Sequence, residues 1–154
     1  MKIVDFRPEY AGAFERLNLE WLEKYFWVED IDRVVLSDPE HEVIGHGGHI
    51  LFALERGEPV GTVALKHQGD NCFELTKMAV TEGFQGKGLG RALMNAAIAP
   101  FNEIRGDRLF LEPNSRLKTA IGLYESAGFE HAPHPSGSDY ARADTYMVYR
   151  AGSN

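Results

Sequence analysis

The sequence predicts an α/β chain of the α+β kind: one mixed, mostly antiparallel sheet of about six to seven strands, flanked by about four helices. Three observations lead there. Residues 49–80 hold three strand-like runs in succession, HILFALER, PVGTVALKH and CFELTKMAV, separated by the turn signals Gly57-Glu58-Pro59 and Gln68-Gly69-Asp70-Asn71. Helical patterns stand on both sides of this meander, and short strand patterns recur at both ends of the chain.

In order, KIVDFR alternates as an opening strand, and Pro8 to Tyr25 places Ala13, Leu17, Trp21 and Leu22 near helical spacing, which predicts one amphipathic helix. A short second helix is expected from Ile31 to Leu36, followed by a loop, SDPEHEVIGHGGH, marked by its Pro and glycines. After the meander come four glycines in eight positions, Gly83, Gly86, Gly88 and Gly90, then a helix from Leu89 to Ile104 with Gly106 as its stop. Pro100 should kink or end that helix. RLFLE reads as a strand and SRLKTAIGLYESAGF as a helix opened by Ser115 and closed by Gly128. Strands near Phe129 and at DTYMVYR close the chain.

Length and charge narrow the job. The 154 residues suit a single domain, 1–154, able to bury a core without disulfides. A net charge of −7 argues against nucleic acid or an anionic membrane as partner and favours a small or cationic ligand. The one cysteine, Cys72, cannot form an internal disulfide, and MKIVDFRPEYAGAF lacks the apolar core of a signal peptide, so the cytoplasm is the expected compartment. His41, His46 and His49 cluster without cysteine or carboxylate at zinc spacing; no metal is expected. HGGH resembles an esterase oxyanion loop, but no G-x-S-x-G supplies a nucleophile.

The glycine loop carries the most chemistry. A glycine-rich turn from strand to helix admits a ligand close to the backbone, and the first N–H groups of the helix, with the positive end of its dipole, favour an anion such as phosphate. Lys87 and Arg91 add positive charge. GFQGKG lacks the spacing and the hydroxyl of a P-loop, and Gly86, Gly88 and Gly90 give GxGxG after antiparallel strands rather than the GxGxxG of a βαβ unit.

Gln85-Gly86-Lys87-Gly88-Leu89-Gly90 matches the Q/R-x-x-G-x-G/A loop, Lys77-Met78-Ala79-Val80 the strand ending before it, and Leu111 to Phe129 the following strand-to-helix segment, of the GNAT superfamily of acetyl-CoA-dependent N-acyltransferases. The chain resembles that family over most of its length. The resemblance implies a GNAT fold whose sheet splays at the middle, with acetyl-CoA in the gap as co-substrate. Backbone groups from Gln85 and Gly86 through Lys87, Gly88, Leu89, Gly90 and Arg91 would hold the pyrophosphate. Met78, Ala79 and Val80 would line the pantetheine arm, with main-chain groups of Met78 and Val80 pairing to it, and Asn114 would bond the arm or a neighbouring loop. Homodimers are common among relatives.

Acetyl transfer from a thioester needs a neutral amine, donors for the oxyanion and a proton for the departing thiolate. By the resemblance Tyr124 is the candidate acid, although Leu117, Ala120, Ile121 and Tyr124 also follow the spacing of an apolar helix face. Glu74 is the candidate base, with a water chain or an already neutral amine as alternatives; the N–H of Val80 is the simplest oxyanion donor. Trp21 and Tyr25, with Tyr140 and Arg142, fall in the segments that wall the acceptor site in the family. Arg142 could clamp a substrate carboxylate or pair with Asp139 or Asp144. The expected reaction is acetylation of a primary amine on a small, amino-acid-like metabolite by direct transfer in a ternary complex. The alternatives are a protein or peptide amine as acceptor, or a non-catalytic acyl-CoA-binding domain.

Overall fold

A computed structural model describes residues 1–150. Strand β1 (Lys2–Asp5) leads through a 3-10 turn at Pro8–Tyr10 into helix α1 (Ala11–Tyr25), then α2 (Asp30–Ser37) and the four-residue α3 (Pro39–Glu42). The meander is β2 (His49–Glu55), β3 (Glu58–His67) and β4 (Cys72–Val80), followed by α4 (Leu89–Glu103), β5 (Arg108–Leu111), α5 (Lys118–Ser126), β6 (Phe129–His131) and β7 (Met147–Tyr149). The seven strands form one sheet in the order β1-β2-β3-β4-β5-β7-β6. Only β4 and β5 run parallel.

That parallel pair is brief. Cys72, Phe73 and Glu74 pair with Arg108, Leu109 and Phe110, after which β4 continues to Val80 without β5 beside it. The sheet opens there into a cleft.

Each sheet face has its own core. Val63 and Leu65 of β3, with Phe73, Leu75 and Leu109, pack under Leu93, Met94, Ala97 and Phe101 of α4. Ala64, with Ile50 and Phe52, packs under Phe14 and Leu22 of α1 and Val35 and Leu36 of α2. This is the period-2 alternation of a strand covered on both faces. It breaks once. Thr62 faces Ala79 and Ala64 faces Thr76, so Val63 stands opposite two residues, Lys77 and Met78, and Lys77 adopts φ 54°. The β-bulge reverses which face each later side chain of β4 takes.

Five local expectations are revised. The β2–β3 turn is Arg56–Gly57, both at positive φ as a tight hairpin requires, and Pro59 sits inside β3 where the register with β2 shifts. The loop after α2 contains α3, begun by Pro39 and capped by Asp38. Ser115 does not open α5; its N–H and hydroxyl both bind Asp144, at 2.8 and 2.7 Å, and the helix starts at Lys118. Pro100, expected to kink or end α4, does not end it. Proline there deletes a single bond near the helix end, and Phe101, edge-on to Phe73 and Tyr149, keeps the last turn on the sheet. The chain reverses at Arg105 (φ 54°), while Gly106 lies flat against Phe101: a Cβ there would fall 2.3 Å from the ring.

Candidate active site

The glycine loop is open. Gln85 donates its side-chain amide to the Val80 carbonyl at 2.9 Å, and the Thr81 N–H bonds Val60 O on β3 at 2.9 Å. Alternation along the strand therefore turns the main-chain N–H and C=O of Val80 to the opposite edge, facing the cleft. Gly86 (φ 76°) and Gly88 (φ 82°) hold left-handed conformations that favour glycine, and added Cβ atoms would meet nothing. Among the described residues, no N–H from Gly86 to Arg91 has an acceptor; the first to find one is Ala92, bonded to Gly88 O at 3.1 Å. Leu89 is buried, and a Cβ added at Gly90 would stand 3.4 Å from Leu123, so the start of α4 lies close to α5. Six N–H groups without an acceptor, the helix dipole and the exposed Lys87 and Arg91 thus gather on a loop set against β4 by Gln85 and near α5 at Gly90, two elements that line the cleft.

The cleft, about 100 Å³ in volume, runs from Met78 and Leu75 of β4 past Leu111 to Asn114 and reaches Tyr124 and Leu117. Asn18, Trp21 and Leu22 of α1, with Phe26 just past its end, close its other side. Tyr25 is not in this lining: its ring packs on Trp21 at 5.5 Å and its carbonyl accepts from Arg116, leaving Phe26 in the position expected for it. Ala79 is buried opposite Thr62 and does not line the cleft. Asn114 ties two loops together, donating to Arg142 O at 2.7 Å and accepting from the Arg116 N–H at 2.9 Å.

Tyr124 is half-buried on α5. Burial pushes its phenol up to about 12, so the hydroxyl keeps its proton at neutral pH.

Glu74 lies at the fork where β4 and β5 part, 5% exposed. Burial raises its carboxyl and the nearby charge of Glu112 raises it further; Lys77, Lys66 and a hydrogen bond from Gln68 oppose them, and the result is about 7. Gln68 donates to Oε1 at 3.0 Å. Oε2 has no partner among the described residues.

Beside it lies a buried ionic network that the sequence reading missed. Lys77 donates to Asp32 Oδ1 at 2.8 Å and to the Tyr140 hydroxyl at 3.0 Å. Arg142 grips Asp32 with both terminal nitrogens, at 2.6 and 2.7 Å, and reaches Glu29 at 2.9 Å. Burial works against the charge on Asp32, but Arg142 and Lys77 override it and bring the carboxyl down to about 2. Burial lowers Lys77 despite Asp32. Glu29 and Asp32 also cap α2 reciprocally. Arg142 therefore pairs with neither Asp139 nor Asp144, and the fork expected for a substrate carboxylate is engaged by Asp32. Among the described residues no set of three His, Cys, Asp or Glu side chains is grouped to hold a metal, and no helix is long and apolar enough to cross a membrane.

Known proteins resemble this chain in sequence and fold. A model of the acetyltransferase (GNAT) family matches residues 6–129. An uncharacterized N-acetyltransferase of Escherichia coli, YjgM, is 35% identical over 138 residues, 84% of this chain and 80% of that protein. Human N-acetylaspartate synthetase is 32% identical over 104 residues, 66% of this chain; the match spans 32% of that longer protein. A solved acetyltransferase of the GNAT family from Staphylococcus aureus superposes with a TM-score of 0.86 at 20% identity, covering 96% of this chain and 97% of the other.

Proposed function

This chain belongs to the acetyltransferase (GNAT) family and is an N-acyltransferase; we propose that, acting as one catalytic domain, it moves the acetyl group of acetyl-CoA directly to the primary amine of a small, amino-acid-like metabolite. The observation that carries this reading is the run of unpaired N–H groups from Gly86 to Arg91 beside a cleft that holds both Glu74 and Tyr124. Acetyl-CoA supplies an activated acetyl thioester; its diphosphate matches the N–H cradle with Lys87 and Arg91. Met78 and the Val80 main chain border the place for the pantetheine arm, and Asn114 holds the adjoining loop.

The residues divide the chemistry. Glu74, with a carboxyl near 7 and Oε2 free, takes the proton that an acceptor ammonium must lose before its nitrogen can attack. Val80 N–H, turned to the cleft, stabilises the carbonyl oxygen as charge develops there. Tyr124, still protonated, donates to the departing sulfur. Trp21 and Phe26 give the acceptor an apolar wall, and Tyr140 with Arg142 braces the opposite one. A volume of about 100 Å³ favours a small acceptor, and the similarity to N-acetylaspartate synthetase favours an amino-acid-like one.

A thiol-release assay with acetyl-CoA and a panel of amino acids, polyamines and peptide amines tests this. Turnover with a small amine and not with peptides is expected. Binding of acetyl-CoA with no turnover on any amine would overturn the enzymatic reading.

A further inference from the structure

Two carboxylates flank the fork of the sheet, and their surroundings differ. Glu74 ends the paired part of β4 opposite Phe110, and Glu112 directly follows the last residue of β5; both line the cleft. Glu112 is engaged at both oxygens. Its Oε2 accepts the Ser138 hydroxyl, and its Oε1 lies 3.0 Å from His134 Nε2. His134 Nδ1 accepts the Ser136 N–H at 3.1 Å, so the ring proton sits on Nε2 and is donated to Glu112. The ring itself is fixed against Tyr146, centroids 4.6 Å apart. Glu74 has a single donor, Gln68, and one oxygen unpartnered.

We propose that Glu112 is a positioning residue for acetyl transfer: clamped by Ser138 and His134, it is a fixed negative charge that makes Glu74, across the fork, the carboxyl that receives the acceptor's proton. The inference rests on the reading of Glu74 as base. In the step, an N–H bond of the acceptor ammonium breaks, its electron pair stays on nitrogen, and the proton forms an O–H bond with Glu74 Oε2. Like charge close by makes a second carboxylate readier to be protonated. The other groups facing Glu74 act in the opposite sense or are already balanced. Lys66 stands opposite it on β3 and Lys77 follows on β4. Asp32 and Arg142 pair behind Lys77, the Tyr140 hydroxyl accepts from Lys77, and α1 presents the uncharged Asn18. Burial gives Glu74 its largest push toward proton uptake, and Glu112 is the charge that adds to it.

The experiment is a carboxyl-carbon NMR titration of Glu74 in the free wild-type protein, E112Q and E112D, with the pH profile of kcat/KM measured for any panel amine that turns over. In E112Q the Glu74 midpoint should fall by about one pH unit, and in E112D, which keeps the charge, it should stay near wild type. The acid limb of the rate profile should move by the same amount. An unchanged midpoint in E112Q, or an equal shift in E112D, overturns the proposal, as does an acid limb that vanishes in E112Q while E74Q retains it. If the midpoint shifts but E74Q keeps full rate and limb, it is the base reading of Glu74 that fails, and the inference with it. Wild-type-like amide spectra establish that each variant is folded.

Discussion

Lys77 Nζ lies 2.8 Å from Asp32 Oδ1, a buried pair joining the left-handed residue of β4 to the first turn of α2. Asp32 is also the acceptor for Arg142, so one carboxylate holds a strand, a helix and the segment before β7 together. Removing it strands the buried Lys77 and leaves Arg142 with Glu29 alone. Asp32→Ala should lower the unfolding free energy by about 3–5 kcal/mol, read by urea denaturation. Because the folded carboxyl titrates near 2 and the ordinary value is 3.8, its stabilisation is complete above the ordinary value and lost as pH falls through about 2. A wild-type curve that stays flat from pH 4 down to pH 2 would contradict the network.

Glu74 has the opposite sign. Its folded value, about 7, lies above the ordinary 4.5, so its contribution is intact below 4.5 and drains away as pH rises through 7. Glu74→Gln should therefore be more stable than wild type at pH 8, by about 3 kcal/mol, and indistinguishable near pH 4. The same variant should lose about 10²–10⁴ in kcat/KM. Thermal melts at the two pH values and a rate assay check both halves.

For the cradle, Gly86→Val is the informative change. Its φ of 76° suits glycine and disfavours a β-branched residue, yet the position is exposed, so the fold should survive. The calorimetric Kd for acetyl-CoA should rise about tenfold or more, equivalent to about 1.4 kcal/mol, with little change in Tm. Unaltered affinity would place the diphosphate elsewhere.

Tyr124→Phe keeps the ring that packs near Phe129 and removes only the hydroxyl. It should lower kcat by about 10²-fold and leave the KM for acetyl-CoA nearly unchanged. A rise in KM alone would give Tyr124 a packing role.

The long elements were legible because pattern and burial agree in them. The meander, α1 and α4 carry apolar spacings that the two cores use directly, and the glycine loop announces its backbone geometry through residue type. Short elements were blurred: α3 has four residues and β6 and β7 three each, too few for a period to register. Ser115 misled because a helix cap and a tie to Asp144 use the same hydroxyl. Lys77 was invisible for a deeper reason. Plain alternation after Phe73 and Leu75 would send its side chain into the apolar core under α4, and only the bulge turns it toward Asp32. Asp32, Glu112 and His134 depend on contacts between segments far apart in the chain.

Gly106 illustrates a contact that residue type suggested for another purpose. It reads as a helix stop, yet Arg105 makes the reversal and Gly106 makes room for Phe101. Gly106→Ala should cost about 1–3 kcal/mol in chemical denaturation, since ring and backbone must separate. A neutral outcome would mean that the end of α4 is loosely held.

The bulge at Lys77 gives β4 two working halves of opposite parity. Before it, the Glu74 side chain looks into the cleft; after it, the Val80 carbonyl is held by Gln85 of the glycine loop. Substitutions in the first half can therefore retune which amine is accepted without disturbing the second. Excising one residue between the halves would bring them into phase, and every side chain beyond the cut would exchange one sheet face for the other.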